Sequence, residues 1–282
     1  MLSSFKAYSP AGATRKKAGE GSGIRSMDLS NRPIGVFDSG VGGISTLAAM
    51  VKILPGEQFL YLGDTLHAPY GTKTTEEVQM YVRRVVSELE KKQIKALVIA
   101  CNTATGAAAA MLRAEKDYPV IGIEPALKPA EEHWRGGRIL VMATPLTLKQ
   151  EKFLSLMDRF GAHAVPQPCP GLMELVENED EKGAEAYLEN LFGSWELEQV
   201  DAVVLGCTHY VFLKPMMRRM LPERILITDG NLGTARQLQR VLESHGLLRK
   251  AGEGSVTLQT TGNSEMLLPV MSRLYAKGLE IS

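Results

Sequence analysis

Two of the three cysteines in this 282-residue chain stand in similar surroundings. Ala96-Leu-Val-Ile-Ala-Cys101-Asn-Thr and Ala202-Val-Val-Leu-Gly-Cys207-Thr-His each run four apolar residues, a small residue, a cysteine and then hydrogen-bonding side chains. A buried strand that ends on a thiol delivers that thiol to the edge of a sheet. A thiol at a helix start also meets the positive end of the helix dipole, which favours the thiolate. Two such thiols on opposite sides of one carbon can take a proton from one face and return one to the other, which is general acid–base catalysis. With each sulfur roughly 3–3.5 Å from the carbon, the pair stands about 7 Å apart, far beyond the ~2.05 Å of a disulfide.

Such chemistry suits the α-proton of an amino acid. That proton is weakly acidic, so an enzyme without an electron-sink cofactor needs strong positioning and donors for carbanionic charge. Asn102, Thr103 and Thr208 flank the two cysteines and supply donors, together with backbone amides at helix starts. Asp38, Asp64 and Glu177 are candidate carboxylates to tune the thiols or hold a substrate ammonium. His209, two residues past Cys207, is a candidate proton partner.

Such groups need a scaffold with a shared edge. From Pro33 onward, apolar runs at 33–37, 58–63, 96–100, 119–123, 138–143, 163–166, 202–206 and 225–228 alternate with helical patterns. These runs read as strands buried on both faces. The clearest helix starts after Thr74, which forms a capping box with Glu77 and precedes Val78, Val82, Val85, Val86 and Leu89 on one face. Repeated strand–helix alternation predicts an α/β fold with parallel sheets. Ligands in such sheets bind beyond the carboxyl ends of strands, where DSGVGG, DTLHAPYG, CNTAT and CTHYV all fall. The two cysteine segments lie about one domain length apart, so they predict two similar domains facing one cleft.

Composition excludes several classes. Lys+Arg and Asp+Glu are both 32, so no basic field points to nucleic acid. No apolar stretch reaches the roughly 18 residues of a spanning helix, so no membrane segment is expected. Three widely spaced cysteines without a CxxC pair make a poor disulfide framework or zinc site and point to a reduced, cytoplasmic setting. Cys169, within Pro-Cys-Pro, reads as structural, and His67, His133 and His163 show no partner in sequence. Residues 1–26 lack the apolar core of a secretory signal and read as a disordered leader.

VFDSGVGGIS (36–45), GDTLHAPYG (63–71), ACNTAT (100–105) and LGCTHY (205–210), in this order, resemble the cofactor-independent glutamate racemases of the aspartate/glutamate racemase superfamily. The resemblance implies two three-layer α/β domains related by pseudo-twofold symmetry, with one L/D-glutamate site in the cleft and neither cofactor nor metal. We expect a disordered leader over 1–30, a first α/β domain over 31–125 plus 235–282, and a second over 126–234. The resemblance implies Cys101 as the base for the D-isomer and Cys207 for the L-isomer, with Asp38 assisting Cys101 and His209 assisting Cys207. Asp64 and Glu177 fall where the family carries further acidic residues. Asp38, Ser39, Tyr70, Gly71, Asn102, Thr103, Thr144, Thr147, Thr208 and His209 match substrate-binding positions. The implied role is D-glutamate supply for peptidoglycan, by a homodimer. Some members carry an N-terminal extension tied to regulation by a cell-wall precursor, and the leader leaves such activation open. Two departures stand out: Val211 replaces the usual proline after CTHY, and LTLKQEKF (146–153) replaces a differently built segment. An aspartate racemase, a thiol-based redox or metal-binding protein, and a silent amino-acid-binding protein are the alternatives.

Overall fold

The runs of Val, Ile and Leu form strands because a parallel sheet covered on both faces has no solvent side to keep polar. The computed structural model describes residues 5–7 and 29–281, and the leader otherwise lies outside the described residues. The first sheet holds β1 (Phe5–Ala7), β2 (Ile34–Asp38), β3 (Gln58–Gly63), β4 (Ala96–Ile99), β5 (Val120–Gly122) and, returning late in the chain, β10 (Ser255–Thr260). Their order is β1-β10-β3-β2-β4-β5, with every pairing parallel except β1 on β10. The second sheet is parallel throughout and holds β6 (Arg138–Ala143), β7 (Ala164–Pro168), β8 (Val200–Leu205) and β9 (Leu226–Asp229), in the order β7-β6-β8-β9.

The order β3-β2-β4-β5 repeats as β7-β6-β8-β9. In each sheet the chain runs to one side of its founding strand and then crosses to the other. The crevice at that reversal is where open α/β sheets bind ligands. It opens between β2 and β4 in the first sheet and between β6 and β8 in the second. Cys101 follows β4 and Cys207 follows β8, so the two thiols occupy equivalent positions in a repeated topology.

Strand alternation splits the core of the first domain. Ile34, Val36, Ala96 and Val98 pack with α1 (Ile44–Ile53), α10 (Asn231–Ser244) and α11 (Ser264–Ile281). Phe37, Leu97 and Ile99 pack with α2 (Thr75–Glu90) and α3 (Asn102–Glu115). This period of two follows from the pleat. The predicted capping box opens α2: Glu77 N donates to Thr74 Oγ1 at 3.2 Å and Thr74 N donates to Glu77 Oε2 at 2.8 Å. All five predicted apolar residues of that helix are buried.

The second sheet carries α4 (Leu127–Glu132), α5 (Pro145–Lys149) and α6 (Glu151–Phe160), then α7 (Leu172–Glu177), α8 (Glu181–Gly193) and α9 (Lys214–Met220). Val203 and Leu205 join the α1 side of the first domain in one continuous core that also takes in Leu172, Val176 and Tyr210. The two sheets are therefore joined by buried apolar surface as well as by the chain. Among the described residues no helix is long and apolar enough to cross a membrane.

Candidate active site

Cys101 leaves β4 in an extended conformation and caps α3, its sulfur accepting from Ala104 N at 3.4 Å. The same sulfur lies 3.3 Å from Ser39 Oγ, which follows β2 across the reversal point. Cys207 is likewise extended, but a 3₁₀ turn over Thr208–Leu213 follows it, and α9 begins only at Lys214. His209 Nδ1 lies 3.7 Å from Cys207 Sγ, and His209 Nε2 lies 2.8 Å from Glu177 Oε1. Cys207, His209 and Glu177 thus form a thiol–imidazole–carboxylate chain, with Glu177 supplied by the last residue of α7.

Asp38 sits fully buried at the end of β2. Its Oδ1 accepts from Gly40 N at 2.8 Å, and its Oδ2 accepts from Thr208 Oγ1 at 3.3 Å. The Thr208 bond crosses between the two half-sites. The DSGVGG glycines explain how they come so close. A Cβ on Gly40 would overlap the Glu177 carboxylate, and one on Gly42 would overlap the His209 ring and the Thr208 hydroxyl. The motif is a packing surface that lets the second domain's catalytic candidates press against the Asp38 loop.

A narrow cavity lies between the two cysteines. Ser39, Tyr70, Gly71, Cys101, Asn102 and Thr103 line it from one side. Thr144, Met173, Gly206, Cys207, Thr208 and His209 line it from the other. Cys101 is 7% exposed and Cys207 8%, so little water reaches either sulfur. Asn102 lines this cavity, and its buried Oδ1 has no hydrogen-bond partner among the described residues.

Asp64 stands one layer back. Its Oδ2 accepts from Tyr70 OH at 2.6 Å, while Oδ1 accepts from Thr261 Oγ1 at 2.7 Å and lies 2.9 Å from His67 Nδ1. Asp64 thus holds Tyr70 at the cavity wall, just past the cis Ala68–Pro69 bond. The three threonines form a triangle: Thr103 Oγ1 lies 3.1 Å from Thr144 Oγ1 and 2.9 Å from Thr147 Oγ1. Thr144 lines the cavity, and Thr147 supports it from behind.

Burial and neighbouring charges decide the protonation states. Burial, reinforced by the charge of Asp38, pushes the Cys101 thiol up to about 12. The helix start does not lower it as the sequence suggested, because the bonds from Ser39 and Ala104 N offset only part of the desolvation. Burial also raises Asp38, against the opposing pull of His209 and the Gly40 and Gly43 amides. For His209, burial works against the charged ring, yet the bonds to Cys207 and Glu177 outweigh it and hold the imidazole well above its ordinary value. Glu177 is lowered: burial raises it, and the His209 contact more than offsets this. Burial thus favours the neutral thiol at Cys101, and the contacts of His209 favour a proton on its ring.

Several residues of this layer carried no sequence signal. His67 stacks on Tyr81 with ring centroids 4.1 Å apart while it meets Asp64. Tyr61 OH donates to Gly40 O at 2.9 Å, and Thr261 reaches Asp64 from beyond β10. Cys169 is buried, and its carbonyl accepts from Tyr210 OH, in keeping with a structural part. His163 pairs with Glu131 and stacks on Trp134, away from the cavity. All three cysteines are free thiols. Among the described residues no group of three or more His, Cys, Asp or Glu is placed to hold a metal ion.

Residues 34–238 match the Asp/Glu/Hydantoin racemase family model. The chain is 44% identical over 254 residues to a glutamate racemase of Clostridium botulinum (strain Alaska E43 / Type E3), covering 88% of this chain and 98% of the relative. It superposes on a glutamate racemase isoform of Bacillus anthracis with a TM-score of 0.79 at 31% identity, covering 88% and 95% of the two chains. The Escherichia coli glutamate racemase, solved with L-glutamate and the activator UDP-MurNAc-Ala, gives a TM-score of 0.74 at 29% identity, covering 86% and 95%. The chain belongs to the Asp/Glu/Hydantoin racemase family, among the glutamate racemases.

Proposed function

We propose that this protein interconverts L- and D-glutamate by two-base proton transfer between Cys207 and Cys101. The observation that carries the reading is the placement of two free thiols at equivalent reversal points on the two walls of one small cavity. With L-glutamate bound, Cys207, its proton held by His209 against Glu177, takes the α-proton. The Cys101 thiol then protonates the opposite face of the carbanion, giving D-glutamate. In the reverse direction Cys101 is the base, assisted by the buried Asp38 carboxylate. The assignment of isomer to cysteine follows the family resemblance.

Asn102 Oδ1 is the acceptor for the substrate ammonium, and Ser39, Thr103, Thr144 and Thr208 are hydroxyls for its carboxylates. Thr147 and Asp64 act through Thr103 and Tyr70. The low exposure of the site strengthens each of these contacts by removing competing water. The first domain comprises 31–125 with 235–282 and the second 126–234, a division supported by the strands each sheet collects. The reaction belongs in the cytoplasm, where thiols stay reduced, and its product serves peptidoglycan. A homodimer completes the proposal, and light scattering reads it as twice 30.8 kDa. A cell-wall precursor of the kind bound by the Escherichia coli relative is the regulator to assay first, beside L-glutamate.

Chiral chromatography of glutamate and aspartate after incubation tests the activity. Conversion of either glutamate enantiomer towards a 1:1 mixture, with aspartate untouched, is the expected result. Racemised aspartate with unchanged glutamate would replace the reading by the aspartate one.

A further inference from the structure

Gln150 lies in the segment that departs from the family pattern, at the junction of α5 and α6 in the second domain. Its side chain does not stay there. Nε2 donates to Thr103 O, in the first turn of the helix that Cys101 caps, at 2.9 Å. The residue is 8% exposed, so this bond is made away from water. Gly106 lies one turn further along α3, on the same face as Thr103. A Cβ at Gly106 would overlap the Gln150 amide. Glycine is a poor helix former, and here its missing side chain admits the amide of the opposite domain to the helix backbone. Thr144 and Thr147, from the same second-domain segment, meet the Thr103 hydroxyl. Residue 103 is therefore gripped from the second domain at both its side chain and its carbonyl.

We propose that Gln150 is a positioning residue that locks the first turn of α3 to the second domain, with Gly106 as its receptor. Through Thr103 it fixes Asn102 and the Cys101 sulfur relative to the substrate. The inference rests on the two-base racemase reading above. The equilibrium constant between enantiomers is one, so disturbing a single half-site must lower kcat/KM equally in both directions. The disturbed side shows instead in isotope effects. A misplaced Cys101 makes proton abstraction slower for the enantiomer it deprotonates, and reprotonation slower for the other.

Gln150→Met keeps the shape and removes the donor. We expect kcat/KM to fall about tenfold for both enantiomers, and the α-deuterium isotope effect to become larger for D-glutamate than for L-glutamate. Gly106→Ala displaces the amide and should show the same asymmetry. In a Gln150→Ala background the overlap is gone, so adding Gly106→Ala should cost nothing further. A Gln150→Met enzyme with wild-type kcat/KM, or one that loses activity with unchanged isotope effects and a lower Tm, overturns the proposal. So does additivity of Gly106→Ala with Gln150→Ala. If the wild-type protein racemises glutamate in the same assay, those results defeat the lock alone. A wild-type protein silent on both enantiomers defeats the functional reading and the lock with it.

Discussion

Cys101→Ser and Cys207→Ser should each lower kcat/KM by about 10²–10⁴-fold, the contribution typical of a positioned acid or base. An alcohol is a far poorer acid than a thiol, so serine keeps the shape of the site and loses the proton transfer. Both directions must slow equally, because the two enantiomers have equal free energy. The variants separate in their isotope effects. In Cys101→Ser, removal of the α-proton from D-glutamate becomes limiting, and α-deuterated D-glutamate reacts much more slowly. With L-glutamate the intact Cys207 still abstracts, the return of a proton by serine limits, and the α-deuterium effect shrinks. Cys207→Ser should show the opposite pattern. Initial rates with protiated and deuterated enantiomers measure this, and equal effects in both directions would break the link between each cysteine and one face.

The second large effect concerns the proton shared by Cys207 and His209. Glu177 supports that proton: its carboxylate meets Nε2 at 2.8 Å and raises the imidazole against the penalty of burial. Glu177→Gln removes the negative charge and leaves the burial. The His209 pKa falls, the pair loses its proton at lower pH, and the alkaline limb of the kcat/KM profile moves towards acid. We expect about a 10–10²-fold loss at neutral pH, the lower part of the range for general acid–base groups. In a His209→Asn background, Glu177→Gln should add little, because its effect passes through the ring. A pH–rate profile for the single and double variants measures both points. An unmoved alkaline limb would show that Glu177 does not act through His209.

Much of this site was legible because its chemistry sits at strand ends. ALVIA followed by Cys101, and AVVLG followed by Cys207, give both the strand and the thiol it delivers. Residue types at the edge gave Asp38, Asn102, Thr208 and His209, and family resemblance added Ser39, Tyr70 and Thr144. What escaped was of a different kind. β10 alternates apolar Val256 and Leu258 with Ser255, Thr257 and Gln259, so it lacks the continuous apolar run of the other buried strands, and its place beside β3 depends on a distant pairing. β1 lies in a segment whose composition signals no strand. His67, Thr261 and Gln150 act by contacts set only once the chain has folded. The Cys101 thiol shows the limit of a local rule. A helix start favours the thiolate, but desolvation depends on everything packed around the sulfur, and it outweighs the local bonds. The DSGVGG glycines, too, could be read as a tight turn from sequence alone. Their need to admit His209, Thr208 and Glu177 is a property of the joined domains.

In the two-base reaction, different groups handle the proton on the two faces of glutamate. Early in the reaction of L-glutamate in D₂O, substrate and product are separated and the isotope at each α-carbon is read by mass spectrometry. The Cys101 sulfur carries solvent deuterium, so D-glutamate should be fully labelled at the α-carbon while the remaining L-glutamate stays unlabelled. Product that keeps the original protium, or label entering L-glutamate as fast as D-glutamate forms, would mean one base serving both faces and would rule out the two-thiol mechanism.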